Sequence, residues 1–265
     1  MLKRCLPSGW RKRKSETVAV VKGDKGANMD TFTANNSVEK LSEIQQFAES
    51  EMVDIHVGTD EKLGHFKVHK SILCQKVLYF EKMFNENFLE SATNSTNLPE
   101  NDPKDFNILM SWIYSGQLPV VNEKHGDPFN WSLHELYSLA DKLCLPKFMD
   151  QILDAALFAM RDKWIPDIPM LQKMQDYSPR KSCGLFRLIC SCICFILCSI
   201  PEKTTINHWP TEDIDSFLVR NDDLRHEVFR RLRAQSVGIK YLDPRIPPYC
   251  QFHEHAKGEP CSQRM

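Results

Sequence analysis

The side chains best suited to chemistry lie near the end of this 265-residue chain. Cys250, His253, His255 and Cys261 place two thiols and two imidazoles within 12 residues, directly after a Pro-Pro pair that excludes a continuing helix. These groups are zinc ligands, so the pattern predicts one structural zinc with no open coordination position. The spacing matches none of the common zinc-finger patterns, and the alternative interpretation is a polar, frayed terminus.

An extended backbone would have to position these ligands. Side chains alternate along such a backbone, so His253 and His255 would point to the same side. Gly258 and Pro260 would then turn the chain so that Cys261 completes a tetrahedron. A bound zinc ion would stabilise a tail that has few apolar residues of its own.

Overall composition indicates an ordinary soluble protein of one or two domains, with 42% hydrophobic and 26% charged residues. The formal net charge of -1 gives no global attraction for nucleic acid or an anionic membrane, and we expect neither as a partner. No apolar secretion segment follows Met1, so the ten cysteines are expected to be thiols or metal ligands in a reducing compartment, cytoplasmic and/or nuclear.

The first 45 residues predict a disordered basic arm, because they lack an apolar period. Within the arm, Arg11 to Lys14 is a basic run of the kind found in nuclear import signals and phosphate-contacting tails. The alternative interpretation is a solvated basic terminus, since short basic runs are common.

Residues 53 to 70 predict a β-hairpin. Val53, Ile55 and Val57 alternate with polar residues, and Phe66 and Val68 do the same after the turn at Gly58. The spacing of apolar residues then becomes helical. One apolar stripe is formed by Ile72, Leu73, Val77, Phe80, Met83 and Phe84.

Capping residues predict where the later helices begin. Asp102 with Pro103 starts one helix, which Gly116 ends. Ser132 with Glu135 forms a capping box for the next helix. Further starts are predicted at Pro146, at Thr211, and at Asn221 or Asp222. The loop 121–130 is expected to lie at the surface.

The order of these blocks resembles the BTB/POZ domain, a family of protein-interaction modules. The residues that carry the resemblance are Asp54, the run Phe66-Lys67-Val68-His69-Lys70, the pair Tyr79-Phe80, and the run Trp112-Ile113-Tyr114-Ser115-Gly116. The family usually has Ser where this chain has Val77, which could alter a helix contact at an oligomer face. The resemblance implies an α+β fold, a short mixed sheet packed on a cluster of helices, which self-associates as a homodimer or higher oligomer.

The resemblance also sets expected domain bounds. They are a basic arm over 1–45, a BTB/POZ domain over 46–162, a mainly helical extension over 163–240 and a Cys/His tail over 241–265. The extension resembles the helical regions that follow BTB domains in fungal proteins. In the family, Asp54 and Lys70 lie in a charged pocket, and here we expect them to form a stabilising ion pair.

A candidate docking motif lies directly after Phe84, where the BTB/POZ family has the loop that follows its second helix. BTB proteins that recruit a cullin-type ubiquitin ligase carry an apolar residue, any residue and then Glu at this place, and Phe88 and Glu90 fit. The alternative interpretation is that Phe88 packs on its own helix while Glu90 is merely solvated.

Residues 185 to 200 form a dense apolar stretch that contains four cysteines. It carries Arg187 and is shorter than the roughly 20 residues that a membrane span needs, so a buried core helix is predicted. Its cysteines then act as small hydrophobic residues. Shared metal ligation by Cys190, Cys192 and Cys194 is disfavoured, because residues two apart on a helix face different sides. Palmitoylation is the other alternative.

We therefore predict a non-enzymatic adaptor that binds protein partners, including a cullin scaffold, and no small-molecule substrate. Glycine-rich phosphate loops are missing from the sequence, and His69 with Cys74 fits a structural corner better than a nucleophile pair. The second hypothesis is a nuclear transcription or chromatin regulator that assembles partners through the BTB dimer. The third is a zinc-dependent enzyme, which would need an open metal position.

Overall fold

The computed structural model describes residues 51–86, 88–119, 131–161, 165–178, 180–201, 208–234, 241–255 and 261. The predicted basic arm, the loop 121–130 and the turn at Gly258 and Pro260 lie outside them. Contacts divide the chain into two compact units. The first runs to Val57 and includes Leu63–Pro99, and the second holds Gly58–Lys62 and Glu100–Met265.

The first unit contains a mixed three-stranded sheet of β1 (Met52–Val57), β2 (Gly64–His69) and β3 (Ser95–Leu98), in the order β2-β1-β3. The predicted hairpin is confirmed, because β1 and β2 are antiparallel with Val53 opposite Val68 and Ile55 opposite Phe66. β3 lies parallel to β1 and was not predicted. Its Ser-Thr-Asn-Leu sequence has only one apolar residue, so it lacks the usual signature of a strand.

Three short helices complete this unit, namely α1 (Lys70–Lys76), α2 (Leu78–Asn85) and α3 (Leu89–Thr93). The predicted apolar stripe is present, but Val77 divides it between α1 and α2, since its backbone is extended with φ -127°. The Val77 side chain is fully buried, as are those of Leu73 and Phe80. The break therefore turns the chain without removing Val77 from the core.

In the second unit, the predicted caps begin the first helices. The Asp102 side chain accepts from Lys104 N at 2.7 Å to start α4 (Pro103–Ser115), and Gly116 ends it with φ 76°. Ser132 Oγ accepts from Glu135 N at 3.4 Å at the start of α5 (Leu133–Lys142). Pro146 opens α6 (Pro146–Met160) as predicted.

Four more helices follow in the second unit, namely α7 (Ile168–Asp176), α8 (Gly184–Ser199), α9 (Thr211–Arg220) and α10 (Asp222–Ala234), and then a 3-10 turn at Tyr249–Phe252. The prediction that Thr211 caps α9 is wrong, because Thr211 is already helical and Pro210 takes the cap position. α8 packs against α6, α7, α10 and the 3-10 turn, which places it centrally in this unit.

The prediction of a buried helix at the apolar stretch is confirmed by α8. Cys190, Cys192 and Cys194 are all buried, and burial raises their pKa values to about 12, 12 and 11. They therefore behave as inert thiols. In the described part of the chain, none of the helices combines the length and apolar character needed to cross a bilayer.

Candidate functional site

The docking segment, residues 88–91, stands at the surface of the first unit. Phe88 precedes α3 and keeps 39% of its surface exposed, and Leu89 keeps 77%. The backbone here is fixed, because Ser91 Oγ donates to the Phe88 carbonyl oxygen at 2.8 Å. An apolar side chain thus projects from a defined turn, with the carboxylate of Glu90 two residues further on.

Tyr79 connects this segment to the core of the first unit. Burial, and then the carboxylate of Glu90, raise the pKa of Tyr79. The Tyr79 ring meets the buried ring of Phe80 edge to face, with 5.4 Å between centroids. Glu90 therefore lies close enough to Tyr79 to affect its ionisation.

The predicted ion pair between Asp54 and Lys70 is wrong. Asp54 Oδ1 contacts His65 Nε2 at 2.6 Å, and Lys70 Nζ contacts Asn94 Oδ1 at 3.1 Å and Glu51 Oε2 at 3.4 Å. The hairpin register explains the difference, because Lys70 N donates to the carbonyl oxygen of Glu51. Asp54 is three residues further along, which is about 10 Å in a strand.

The other motif residues have structural roles in their own units. His69 occupies the cap position of α1, and burial raises the pKa of the nearby Cys74 thiol to about 11. Trp112 donates from Nε1 to Gln151 Oε1 at 2.8 Å. Tyr114 is 48% exposed, and Gly116 donates its N–H to the Trp112 carbonyl oxygen at 2.7 Å.

The second unit brings together the Cys–His cluster, defined as Cys250, His253, His255 and Cys261. One potential ligand atom from each side chain lies within 4.8 Å of the others. Cys250 Sγ is 3.1 Å from His255 Nε2, and His253 Nδ1 is 3.2 Å from Cys261 Sγ. The alternation along an extended backbone applied only to His253 and His255. The structure nevertheless brings potential ligand atoms of all four side chains together.

His253 is held in place by a helix outside the Cys–His cluster. Its side chain is fully buried, and Nε2 lies 2.7 Å from Asp154 Oδ1 on α6. Burial alone would lower the pKa of His253, but the hydrogen bond and charge of Asp154 raise it to about 9. Asp154 was not predicted from the sequence, because it is 99 residues away.

A buried carboxylate holds the chain beside His253. The Glu254 side chain is 4% exposed and forms ion pairs with Arg180 at 3.1 Å and Arg187 at 3.4 Å. It also accepts from the Gly184 N–H and from the Tyr137 hydroxyl. We call these groups the Glu254 network.

Gly184 is needed for this arrangement because the tail lies directly on the start of α8. A Cβ added at Gly184 would overlap the carbonyl oxygen of Phe252 and would lie 2.6 Å from Leu153 Cδ1. Phe252 itself is 1% exposed. Residues 249–255 are therefore packed into the second unit, and the frayed-terminus interpretation is wrong for them.

Residues 44–157 match the protein-family model described as BTB/POZ domain. The chain carries a BTB/POZ domain. Its α+β fold, with a small mixed sheet and ten helices among the described residues, is the fold predicted from the sequence.

Curated relatives resemble the chain over limited stretches. Mouse TD and POZ domain-containing proteins 4 and 5 are 35% identical over 60 residues and 39% identical over 57. These matches cover 22% and 21% of this chain. A BTB/POZ domain-containing protein of Arabidopsis thaliana is 24% identical over 147 residues, or 56% of this chain. The chain spans only 16 to 17% of the length of these relatives.

Solved BTB domains also align with the chain. The BTB domain of human Gigaxonin shares 18% identity over 51% of this chain, and that of zebrafish PATZ1 shares 19% over 54%. Each alignment covers 98% of the solved chain, with a TM-score of 0.32.

BTB/POZ domains mediate protein–protein interaction and self-association, and they are generally non-enzymatic. The coarse prediction of a protein-interaction module is therefore confirmed. Within the BTB/POZ domain, Phe88 and Glu90 are surface features, while the Cys–His cluster lies beyond residue 157.

Proposed function

We propose that this protein is a self-associating adaptor that docks a cullin-type ubiquitin-ligase scaffold through Phe88 and Glu90. The observation that carries the proposal is the exposed Phe88, held at the start of α3 with Glu90 two residues on, inside a BTB/POZ domain. The motif position comes from the resemblance of the sequence, and the surface exposure supports its use.

The chemistry of the docking segment suits recognition of a protein surface. Phe88 and Leu89 are exposed apolar side chains, and moving apolar area from water into a partner's pocket contributes about 25 cal/mol per Å². A large aromatic residue is a common energetic centre of an interface. The Glu90 carboxylate would orient the partner through an opposite charge.

The helical extension is the part we propose for contact with a client protein. Its helices leave several large apolar side chains in solvent, which supports a protein partner rather than a small molecule. Those exposed residues are Leu197, Val219 and Phe229, with Leu242 and Ile246 in the segment that follows.

A calorimetric titration of the full chain with a cullin N-terminal domain tests the docking proposal. We expect a dissociation constant in the micromolar range or tighter for the wild type. The double variant Phe88→Ala, Glu90→Ala should bind at least about tenfold more weakly, because it lacks the aromatic anchor of the interface. A tenfold loss of affinity corresponds to about 1.4 kcal/mol. Circular dichroism should show the same folded spectrum for both proteins.

A matched control removes the same residue types from another exposed place. Phe229→Ala with Glu212→Ala changes α10 and α9, where both side chains are exposed. We expect this control to bind the scaffold as the wild type does. Folded wild type that gives no heat, or equal loss of affinity in both double variants, would overturn the docking proposal.

The second candidate function is a nuclear regulator assembled by the BTB/POZ domain. The basic run Arg11 to Lys14 favours it, although these residues lie outside the described part of the chain. Neutralising the four side chains and imaging a tagged chain tests it. This candidate predicts lost nuclear accumulation together with no binding to a cullin, whereas unchanged distribution would argue against it.

A further inference from the structure

We propose that the Cys–His cluster binds one zinc ion, and that Asp154 positions its ligand His253 for that ion. Zn–S and Zn–N bonds of about 2.3 and 2.0 Å in a tetrahedron place the ligand atoms roughly 3.3 to 3.8 Å apart. Two sulphur–nitrogen pairs in the cluster are 3.1 and 3.2 Å apart, and the whole set lies within 4.8 Å. Small side-chain adjustments would therefore bring all four atoms to bonding distance.

The donor set indicates the class of metal. Two cysteine sulphurs and two imidazole nitrogens favour zinc over magnesium or calcium, which prefer oxygen. Two thiolates would balance the charge of the divalent ion, so the site would be neutral. Four protein ligands would leave no open position, and the ion would be structural rather than catalytic.

Asp154 gives the site an outer support from a different element. A zinc-bound histidine commonly donates its second ring nitrogen to a carboxylate, which fixes the ring and its tautomer. His253 has this arrangement, with Nε2 at 2.7 Å from Asp154 Oδ1 and Nδ1 directed at Cys261 Sγ. The fully buried ring is therefore oriented by α6 and not only by neighbouring residues of the tail.

The backbone between the ligands is also fixed by contacts that need no metal. Tyr249 and Phe252 are buried, and Glu254 is held by the Glu254 network. Glu254 N also donates to Asp150 Oδ1 at 2.6 Å. Cys250, His253 and His255 are thus presented by a packed segment. The ion would add Cys261 to this segment and fasten the last part of the chain to α6 and α8.

The zinc content of the purified full chain tests this proposal directly. The chain should be produced in zinc-supplemented medium with a tag that lacks histidine, and measured by plasma mass spectrometry. We expect one zinc ion per chain. Cys250→Ser and Cys261→Ser should each lose most of it, while the control Cys198→Ser, an exposed thiol on α8, should keep the full amount.

Two further measurements keep the proposal testable if a cysteine variant fails to fold. Cobalt added to the chelator-stripped wild type should give the visible absorption of tetrahedral Co²⁺ with thiolate ligands. Asp154→Asn should keep the ligands but weaken zinc binding by about 10 to 100-fold, as measured by competition with a chelating dye.

The proposal fails if folded wild type holds no stoichiometric zinc and gives no tetrahedral cobalt spectrum. It also fails if the double variant Cys250→Ser, Cys261→Ser retains the wild-type zinc content. A disulfide between Cys250 and Cys261 in wild-type protein purified with a thiol reductant would overturn it as well. Normal zinc affinity in Asp154→Asn would overturn the positioning role of Asp154. The outcome is independent of the docking proposal, because no cullin is used.

Discussion

The docking segment and the Cys–His cluster are both short motifs, but their surroundings differ. Phe88 keeps 39% of its surface in solvent and Leu89 keeps 77%, so their apolar area remains available to a partner. Phe252 and Glu254, between the cluster ligands, are 1% and 5% exposed. Surface exposure suits a motif that binds another protein. Burial against the rest of the second unit suits a motif that stabilises the chain's own fold. The Cys–His cluster contacts residues distant in sequence, such as Asp154, and this distinguishes it from the docking segment.

The largest effect should follow from Gly184→Ala, which removes the space that the tail occupies. The new Cβ would overlap the carbonyl oxygen of Phe252, which is backbone and cannot rotate away. We expect a loss of about 3 kcal/mol in the free energy of unfolding, measured with urea. Faster proteolysis of the tail should accompany it.

Gly116→Ala is the control for this change. Nothing lies within 4 Å of a Cβ added there, but φ is 76°, so the cost is backbone strain of about 1 kcal/mol. An equal loss in both variants would mean that close packing of the tail on α8 contributes little, and the contrast between the two motifs would weaken.

Glu254→Gln should be the next most damaging change. The amide would remove the buried negative charge that pairs with the half-buried Arg180 and Arg187, and it would place an N–H donor beside one of them. Arg180 would keep its pair with Asp141, so the loss falls mainly on Arg187. Breaking a buried pair in this way costs about 3 kcal/mol. Urea unfolding at pH 7 measures the loss.

Glu227→Gln is a matched comparison on a more exposed surface. Glu227 pairs with Arg230 and Arg231, and these hydrogen bonds lower its pKa to about 2. Solvent screens such pairs, so we expect a smaller loss than for Glu254→Gln. A larger loss at Glu227 would contradict the importance given to the Glu254 network.

Asp105→Asn should increase the free energy of unfolding, whereas Glu254→Gln should decrease it. The Asp105 carboxyl is buried near other carboxylates, while Glu254 is paired with arginines. Burial, and then Glu135 and Asp102, raise the pKa of Asp105 to about 7 from its ordinary 3.8. The folded protein therefore binds an extra proton between about pH 4 and 7, and wild-type stability falls as pH rises through that window. The variant avoids this loss.

We expect Asp105→Asn to be more stable than the wild type by roughly 2 kcal/mol at pH 8. The change in the pKa of Asp105 sets the upper bound for this gain, since each pH unit is worth about 1.4 kcal/mol. The advantage should shrink towards pH 4. Thermal unfolding across this range measures it. A pH-independent difference would show that ionisation of Asp105 is not its cause.

The smallest effect on stability should come from Phe88→Ala. The side chain is partly exposed at the start of a five-residue helix, so we expect a loss below about 1 kcal/mol in urea unfolding. A loss as large as that of Gly184→Ala would place Phe88 in the core and would remove the distinction between the two motifs.

Local patterns in the sequence predicted the features that depend on neighbouring residues. The hairpin alternation at Val53 to Val57, the caps Asp102 and Ser132, and the buried α8 are confirmed. The sequence did not predict β3, whose polar residues pair with β1 through the backbone. A backbone ladder needs no apolar side-chain pattern, so such a strand has little signature.

From the sequence we named the four members of the Cys–His cluster and the proposed docking residues, but not the groups that support them. The zinc pattern named Cys250, His253, His255 and Cys261 because cysteine and histidine are recognisable by type. The supporting Asp154 was not predicted, because a single Asp on an amphipathic helix looks like an ordinary surface residue. The same holds for Gly184, whose need appears only when Phe252 packs against it. Long-range contacts of this kind leave no local pattern.

Hydrogen–deuterium exchange of the full chain, with and without a cullin N-terminal domain, tests the central claim most directly. The account predicts slower exchange in peptides that contain Phe88, Leu89 and Glu90, with unchanged exchange in peptides from 249–255. The Phe88→Ala, Glu90→Ala variant should show no such protection. Unchanged exchange around Phe88 at saturating scaffold, or protection confined to 249–255, would contradict the assignment of docking to the BTB/POZ surface and of structure to the tail.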